Sequence, residues 1–197
     1  QSASRRPHEQ SLTACLLKGK GMLETENFAM MSISSETMNA AWEEWGANCG
    51  PAAISAVCGI PLAQLRPYMG DFERKRYTNP TLMWSVLKSI GVRFSYRGGE
   101  LGRQNWPKYG LARIQWEGPW TRTGVPMRAR YRHTHWGGVN ARNPGNVGIF
   151  DCNATGNGTG WCALADWTDT IVPWIVEHME KGADGGWHIT HAVEVRP

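Results

Sequence analysis

With 197 residues, the chain suits one ordinary domain with a packed core and is too short for two comfortable ones. Hydrophobic residues at 41% and charged residues at 19% mark it as globular, and no stretch approaches the roughly 18 uninterrupted apolar residues of a spanning helix, so no membrane insertion is expected. The net charge of +4 comes without a basic run, which leaves nucleic-acid binding without support.

Along the chain, residues 1–34 show no clean periodicity and read as a weakly ordered extension, with one domain over 35–197. Ser34 or Ser35 caps a short helix through Trp45, with Glu36 in its first turn. Next comes Gly46-Ala47-Asn48-Cys49-Gly50-Pro51-Ala52-Ala53, a helix start with Pro51 in its first turn and Gly59 as its stop. Pro61 to Met69 reads as another short helix. Asn79-Pro80 opens a longer one, with Leu82, Met83, Val86, Leu87 and Ile90 on one stripe and Gly91 as terminator.

Beyond Gly91 the period becomes strand-like. Strands are expected over Val92–Tyr96, Leu111–Trp116, Thr134–Val139, Val147–Cys152 and Trp187–Val195. Gly118–Arg132 reads as a long loop rich in Arg, Asn153–Gly160 as a turn, and Ala163–Met179 as a helix bent or broken at Pro173. Helices first and strands later, with 11 Trp and 23 Gly against 4 Phe, give an α+β layout rather than a bundle or an alternating βαβ fold.

The cysteines are Cys15, Cys49, Cys58, Cys152 and Cys162, an odd number without a CxxC pair. A disulfide scaffold or a zinc site would show denser or paired spacing, so separate thiols in a reducing compartment are expected. The polar start and the short Leu12–Leu17 run do not form a signal peptide, which points to a cytoplasmic location.

A nucleophilic cysteine needs its thiol lowered from about 8.5, by a helix amino end and a nearby imidazole, with a third group holding the ring. Cys49 stands at a helix start. His135 opens the run His135-Trp136-Gly137-Gly138-Val139, at a sheet end. Asp151 follows the apolar Gly148-Ile149-Phe150. Two antiparallel strands joined through Asn143-Pro144-Gly145-Asn146 would set the imidazole beside the carboxylate.

Asn-Cys-Gly-Pro-Ala at a helix start, Thr-His-Trp at a strand start and Phe-Asp-x-Asn on the next strand together resemble the papain-like cysteine peptidases. The likeness is to the compact bacterial and phage branch akin to bacteriocin-leader-processing peptidases, and it covers about Trp42–Val195. It implies amino-terminal helices packed on an antiparallel sheet, with Cys49 as nucleophile, His135 as general base and acid, and Asp151 as the group holding the imidazole. The implied reaction is hydrolysis of a peptide or isopeptide bond in a peptide or protein substrate, through a thioester and without cofactor or metal. The implied setting is the cytoplasm or delivery with a phage particle.

The chain departs from the family at Glu43, where relatives carry a Gln about six residues before the nucleophile that donates to the oxyanion. Such a donor is worth roughly 3 kcal/mol of barrier. Either the backbone N–H of Cys49 suffices with another donor such as Asn48 or Gln115, or activity is weak, or the substrate differs. His133 and Asn153 are further residues around the site. Rival functions are acyl transfer of the transglutaminase kind with the same triad, and a catalytically degenerate fold serving as a binding module.

Other candidates have plainer readings. Cys58 reads as a core thiol, and Cys152, next to Asp151, as a structural residue on the opposite strand face. His133 lies two residues from His135 and shares its face if the strand extends; it is an alternative base, or with His135 and Cys49 a zinc set. His188 and His191, three apart, fall on opposite faces, and His178 stands at a helix carboxyl end. The Trp residues read as core and cleft walls. No phosphate-cradling loop is present.

Overall fold

In the computed structural model, which describes residues 30–143 and 145–196, each long helix begins at a side-chain cap that the sequence supplies. Ser34 accepts the Thr37 N–H ahead of α1 (Ser35–Trp45), and Gly46, at φ 76°, ends it. Asn48 accepts the Gly50 N–H ahead of α2 (Cys49–Cys58). Asn79 accepts the Leu82 N–H ahead of α5 (Pro80–Ser89). Between them lie the short α3 (Leu62–Leu65), a 3-10 turn and α4 (Phe72–Lys75). The link from α1 to α2 requires glycine at position 46, because its left-handed backbone lies against the Arg76 guanidinium.

Six strands form one antiparallel sheet: β1 (Arg93–Gly102), β2 (Tyr109–Trp116), β3 (Thr134–Asn140), β4 (Gly148–Phe150), β5 (Trp161–Ala163) and β6 (Trp187–Arg196). Their order across the sheet is β1-β6-β2-β3-β4-β5. The fold is therefore α+β. On one face Tyr109, Leu111, Trp136, Val193 and Val195 pack with residues of α1, α2 and α5. On the other, Ala112, Ile114, Trp116, Val139 and Ile189 pack with Trp167, Ile171, Val172 and Ile175. No described helix is long and apolar enough to cross a membrane.

The expected extension over 1–34 divides in two. Residues 1–29, including Cys15, lie outside the described residues, whereas Ile33 is only 1% exposed and belongs to the core. Its N–H donates to Thr159 O at 2.9 Å, and the Met31 N–H donates to Ala56 O at 2.9 Å. Packing thus starts before Ser35.

The loop over 118–132 carries a 3-10 turn (Pro119–Thr121) and α6 (Met127–Arg130). The last helical run is not broken at Pro173. A π turn (Trp167–Ile171) joins α7 (Leu164–Asp166) to α8 (Val172–His178), and Pro173 falls in the first turn of α8. A proline in a first turn removes no intrahelical bond there.

His188 and His191 do not lie on opposite faces. Gln115 is opposite His188 and Arg113 is opposite His191, because β6 carries a bulge at Thr190 between the two pairs. The extra residue returns both histidines to one face. His178, as expected, sits at a helix end, its ring bonded to the Trp174 carbonyl at 2.9 Å.

Helix α2 crosses β3 closely at Gly138. A Cβ there would stand 2.9 Å from Val57 Cγ2 and 3.0 Å from Phe150 Cβ. Gly138→Ala is expected to lower unfolding free energy by about 1–3 kcal/mol, the usual cost of overpacking, as read from denaturant melts. An unchanged midpoint would show that helix and strand separate freely.

Candidate active site

Strand β4 pairs with β3 only over Gly138–Asn140, so the start of β3 has an open flank. The β2–β3 ladder fixes which way the backbone points there. Trp116 N–H donates to His133 O at 2.9 Å, Ile114 lies opposite His135, and Arg113 lies opposite Trp136. Antiparallel alternation then turns the Trp136 N–H away from β2, toward the open flank. The amino end of α2 fills that flank. The sulfur of Cys49, a half-buried residue, is hydrogen-bonded there by the Trp136 N–H and by the His135 ring.

Asp151 leaves β4 at the point where the strand gives way to a 3-10 helix (Cys152–Asn157). Its carboxylate is 0% exposed and accepts four hydrogen bonds. Oδ2 accepts from His135 Nε2 at 2.8 Å and from Trp167 Nε1 at 2.8 Å. Oδ1 accepts from the Asn153 backbone N–H at 2.9 Å and from Asn153 Nδ2 at 3.0 Å. The bond at Nε2 leaves Nδ1 of the imidazole for the sulfur. Cys49, His135 and Asp151 thus form one connected chain.

The charges reinforce it. Burial raises the Cys49 thiol, but the imidazolium charge, the bond with His135 and the Trp136 N–H outweigh burial and the repulsion from Asp151, so it lies below the ordinary 9.0. Burial alone would lower His135; the Asp151 carboxylate and the Cys49 thiolate together hold the ring protonated well above 6.5. Burial likewise opposes ionisation of Asp151, and the His135 charge with the donated hydrogen bonds overcomes it. The arrangement favours a thiolate–imidazolium pair.

The remaining candidates separate clearly. Asn153 does contact Asp151, though its Oδ1 has no partner among the described residues. Asn48 commits one amide proton to Arg76 O at 3.1 Å and its oxygen to the Gly50 N–H. Gln115 donates to the carbonyls of Trp116 and His133 at 2.9 and 3.0 Å, which uses both of its amide protons and leaves none for an oxyanion. Glu43 is exposed on α1, and the charges acting on Cys49 come from His135 and Asp151. The first N–H of α2, that of Cys49 itself, needs no intrahelical partner.

His133 is drawn elsewhere. Its Nδ1 bonds Glu180 at 2.7 Å and its ring stacks on Trp120 at 3.7 Å, so it does not join His135 and Cys49 as a zinc set.

Cys152 differs from expectation. Strand alternation stops at Asp151, and the 3-10 turn carries the Cys152 sulfur back toward the site, within 4.8 Å of the His135 nitrogen and the Asp151 oxygen. These three could ligate a metal only by breaking the His135–Asp151 bond, and burial, with the negative charges of Asp151 and Cys49, keeps the Cys152 thiol protonated.

Trp167 is the contact that sequence reasoning missed as more than a wall. Its signal was its own chemistry, since a buried indole N–H requires an acceptor. No protein-family model matches the chain, and no curated protein matches it either.

Among the described cysteines only Cys49 is lowered. Burial pushes Cys58 and Cys162 up to about 12, and Cys152 is raised as well. Iodoacetamide at neutral pH should therefore alkylate Cys49 first among these four, with its rate–pH profile rising below the ordinary thiol value. His135→Ala should shift that rise upward; peptide mapping by mass spectrometry reads both.

Asp151 gives a second pH effect. Its folded value lies below 3.8, so its stabilisation is present above the unfolded value and is lost as pH falls through the folded one. Asp151→Asn should flatten the acid limb of a stability–pH curve. A limb as steep as that of the parent protein would assign acid sensitivity to other carboxylates.

Proposed function

We propose that the protein is a cysteine-dependent hydrolase of papain-like arrangement, cleaving a peptide or isopeptide bond through Cys49, His135 and Asp151. One observation carries the reading: a single imidazole is bonded at Nε2 to a fully buried carboxylate and, on its other side, to the thiol of a cysteine at a helix amino end. Neither a structural histidine nor a core cysteine needs that combination.

In this reading His135 takes the Cys49 proton and the thiolate attacks the amide carbonyl carbon. The oxyanion meets the Cys49 backbone N–H and the positive end of α2. The C–N bond then breaks, and the imidazolium protonates the departing amine. Water, deprotonated by His135, cleaves the thioester and restores the thiol. Asp151 stays ionised throughout and keeps the ring oriented. These steps use no cofactor.

Incubation with a denatured protein mixture, followed by mass spectrometry of new amino termini, tests the reading. Wild-type protein should create new termini, and Cys49→Ala and His135→Ala should each lose them, since deleting one member of a unit triad costs on the order of 10⁶-fold. Termini that persist in Cys49→Ala would rule the mechanism out. Adding a primary amine separates hydrolysis from acyl transfer: amine adducts in place of free carboxyl ends would assign the acyltransferase.

A further inference from the structure

Arg113 is a buried cation with no carboxylate bonded to it among the described residues, and the negative charge that acts on it is that of the Cys49 thiolate. Arg113 lies on β2 and is 7% exposed. Its printed bonds go to neutral groups: Nη2 donates to Thr134 Oγ1 at 3.2 Å and to the Tyr131 carbonyl at 3.5 Å, and the guanidinium sits 5.5 Å from the Tyr131 ring centroid. Nε has no partner among the described residues. A guanidinium keeps its charge even when desolvated, so a partner for the bare Nε is favoured.

The neighbouring acids are engaged with other bases. Glu117 bonds His188 at 2.9 Å, and Glu100 lies 3.8 Å from Arg130. Both line a cavity of about 230 Å³ that also includes Tyr131 and Gln115. Gln115, two residues from Arg113 and on the same sheet face, is 1% exposed, and its Oε1 has no partner among the described residues. The unpartnered Arg113 Nε and Gln115 Oε1 therefore belong to one face of β2, a wall that Gln115 presents to the cavity.

That wall adjoins the nucleophile. Arg113 is directly opposite Trp136 in a non-hydrogen-bonded pair, where side chains approach most closely, and the Trp136 N–H is the one that bonds the Cys49 sulfur. On the other side, His191 is held neutral, down to about 4, by burial and by Arg113.

We propose that Arg113 forms a carboxylate-binding subsite beside Cys49, so that the bond attacked lies next to an acidic side chain or a chain-terminal α-carboxylate. Gln115 Oε1 accepts the N–H of the same residue. The proposal rests on Cys49 being the nucleophile. It makes Arg113 a specificity residue, because a neutral group in the subsite leaves the guanidinium unpaired.

The test needs no known substrate. Iodoacetate and iodoacetamide alkylate a thiolate by the same displacement, forming the S–C bond as iodide departs, but only iodoacetate carries a carboxylate. Rates at Cys49 are compared for wild type, Arg113→Gln and Arg113→Lys. Arg113→Gln is expected to lower the iodoacetate-to-iodoacetamide ratio about tenfold, the fold-change of one charge-assisted hydrogen bond, with the iodoacetamide rate little changed. Arg113→Lys should retain part of the ratio. An equal slowing of both reagents in Arg113→Gln would make the residue a partner of the thiolate instead and overturn the subsite.

Should the variants lose their far-UV circular dichroism, wild type alone decides. N-acetylglutamic acid α-amide and N-acetylalanine, a side-chain and a terminal carboxylate, are tested as protectants of Cys49 against iodoacetamide, with N-acetylglutamine amide as the neutral control. Protection by one acid and not by the control supports the subsite and identifies the source of the carboxylate. Fast iodoacetamide labelling without protection by either acid overturns the subsite alone. Labelling no faster than that of free cysteine removes the nucleophile, and the subsite with it.

Discussion

A carboxylate with no exposed surface is the constraint around which the rest of the molecule is arranged. Stripping Asp151 of water would cost several kcal/mol were its oxygens left bare. The fold answers with four donors drawn from three places: the imidazole on β3, the indole on the π turn, and the backbone and side chain of Asn153. Remove any of the three elements and the charge is under-satisfied. The requirement ties the π turn to the sheet, in addition to the apolar burial of Trp167, Ile171, Val172 and Ile175.

The two faces of the sheet divide the labour. The face carrying Trp116 and Trp167 supplies a dry surround for the His135–Asp151 bond, with Trp116 at 6.0 Å from the imidazole centroid and Trp167 stacked at 6.3 Å from Trp116. Low local polarity strengthens that bond. The opposite face is covered by α1, α2 and α5 over its apolar half, while at its polar end Gln115 and His188 line a cavity. The Cys49 sulfur sits where the two regimes meet.

Local chemistry was legible wherever one residue type answers one backbone need. The helix starts at Asn48-Cys49 and at Asn79-Pro80 were legible from the small or proline-led runs that follow, and in each the Asn side chain satisfies an orphan N–H. The juxtaposition of His135 and Asp151 was legible as a hairpin, since neighbouring antiparallel strands leave few other places for their ends. What depended on a single inserted residue was not legible: the bulge at Thr190 reverses the facing of every later position in β6, and the end of alternation at Asp151 redirects Cys152. Arg113 was hidden for another reason. Alternating with Ala112 and Ile114, it reads as a solvent-side residue, yet all of β2 is buried, because what lies over a strand is decided by distant segments.

Strand β4 is only three residues long, and its brevity governs access to the backbone of β3. A sheet margin with free amide groups ordinarily invites pairing with another chain. Here a helix tip stands in for the missing strand, so shielding the margin and anchoring the sulfur are one contact. A hairpin two residues longer would complete the ladder, occupy the Trp136 amide with a carbonyl and expel the helix tip, parting the thiol from its imidazole while Cys49, His135 and Asp151 all remained in the sequence.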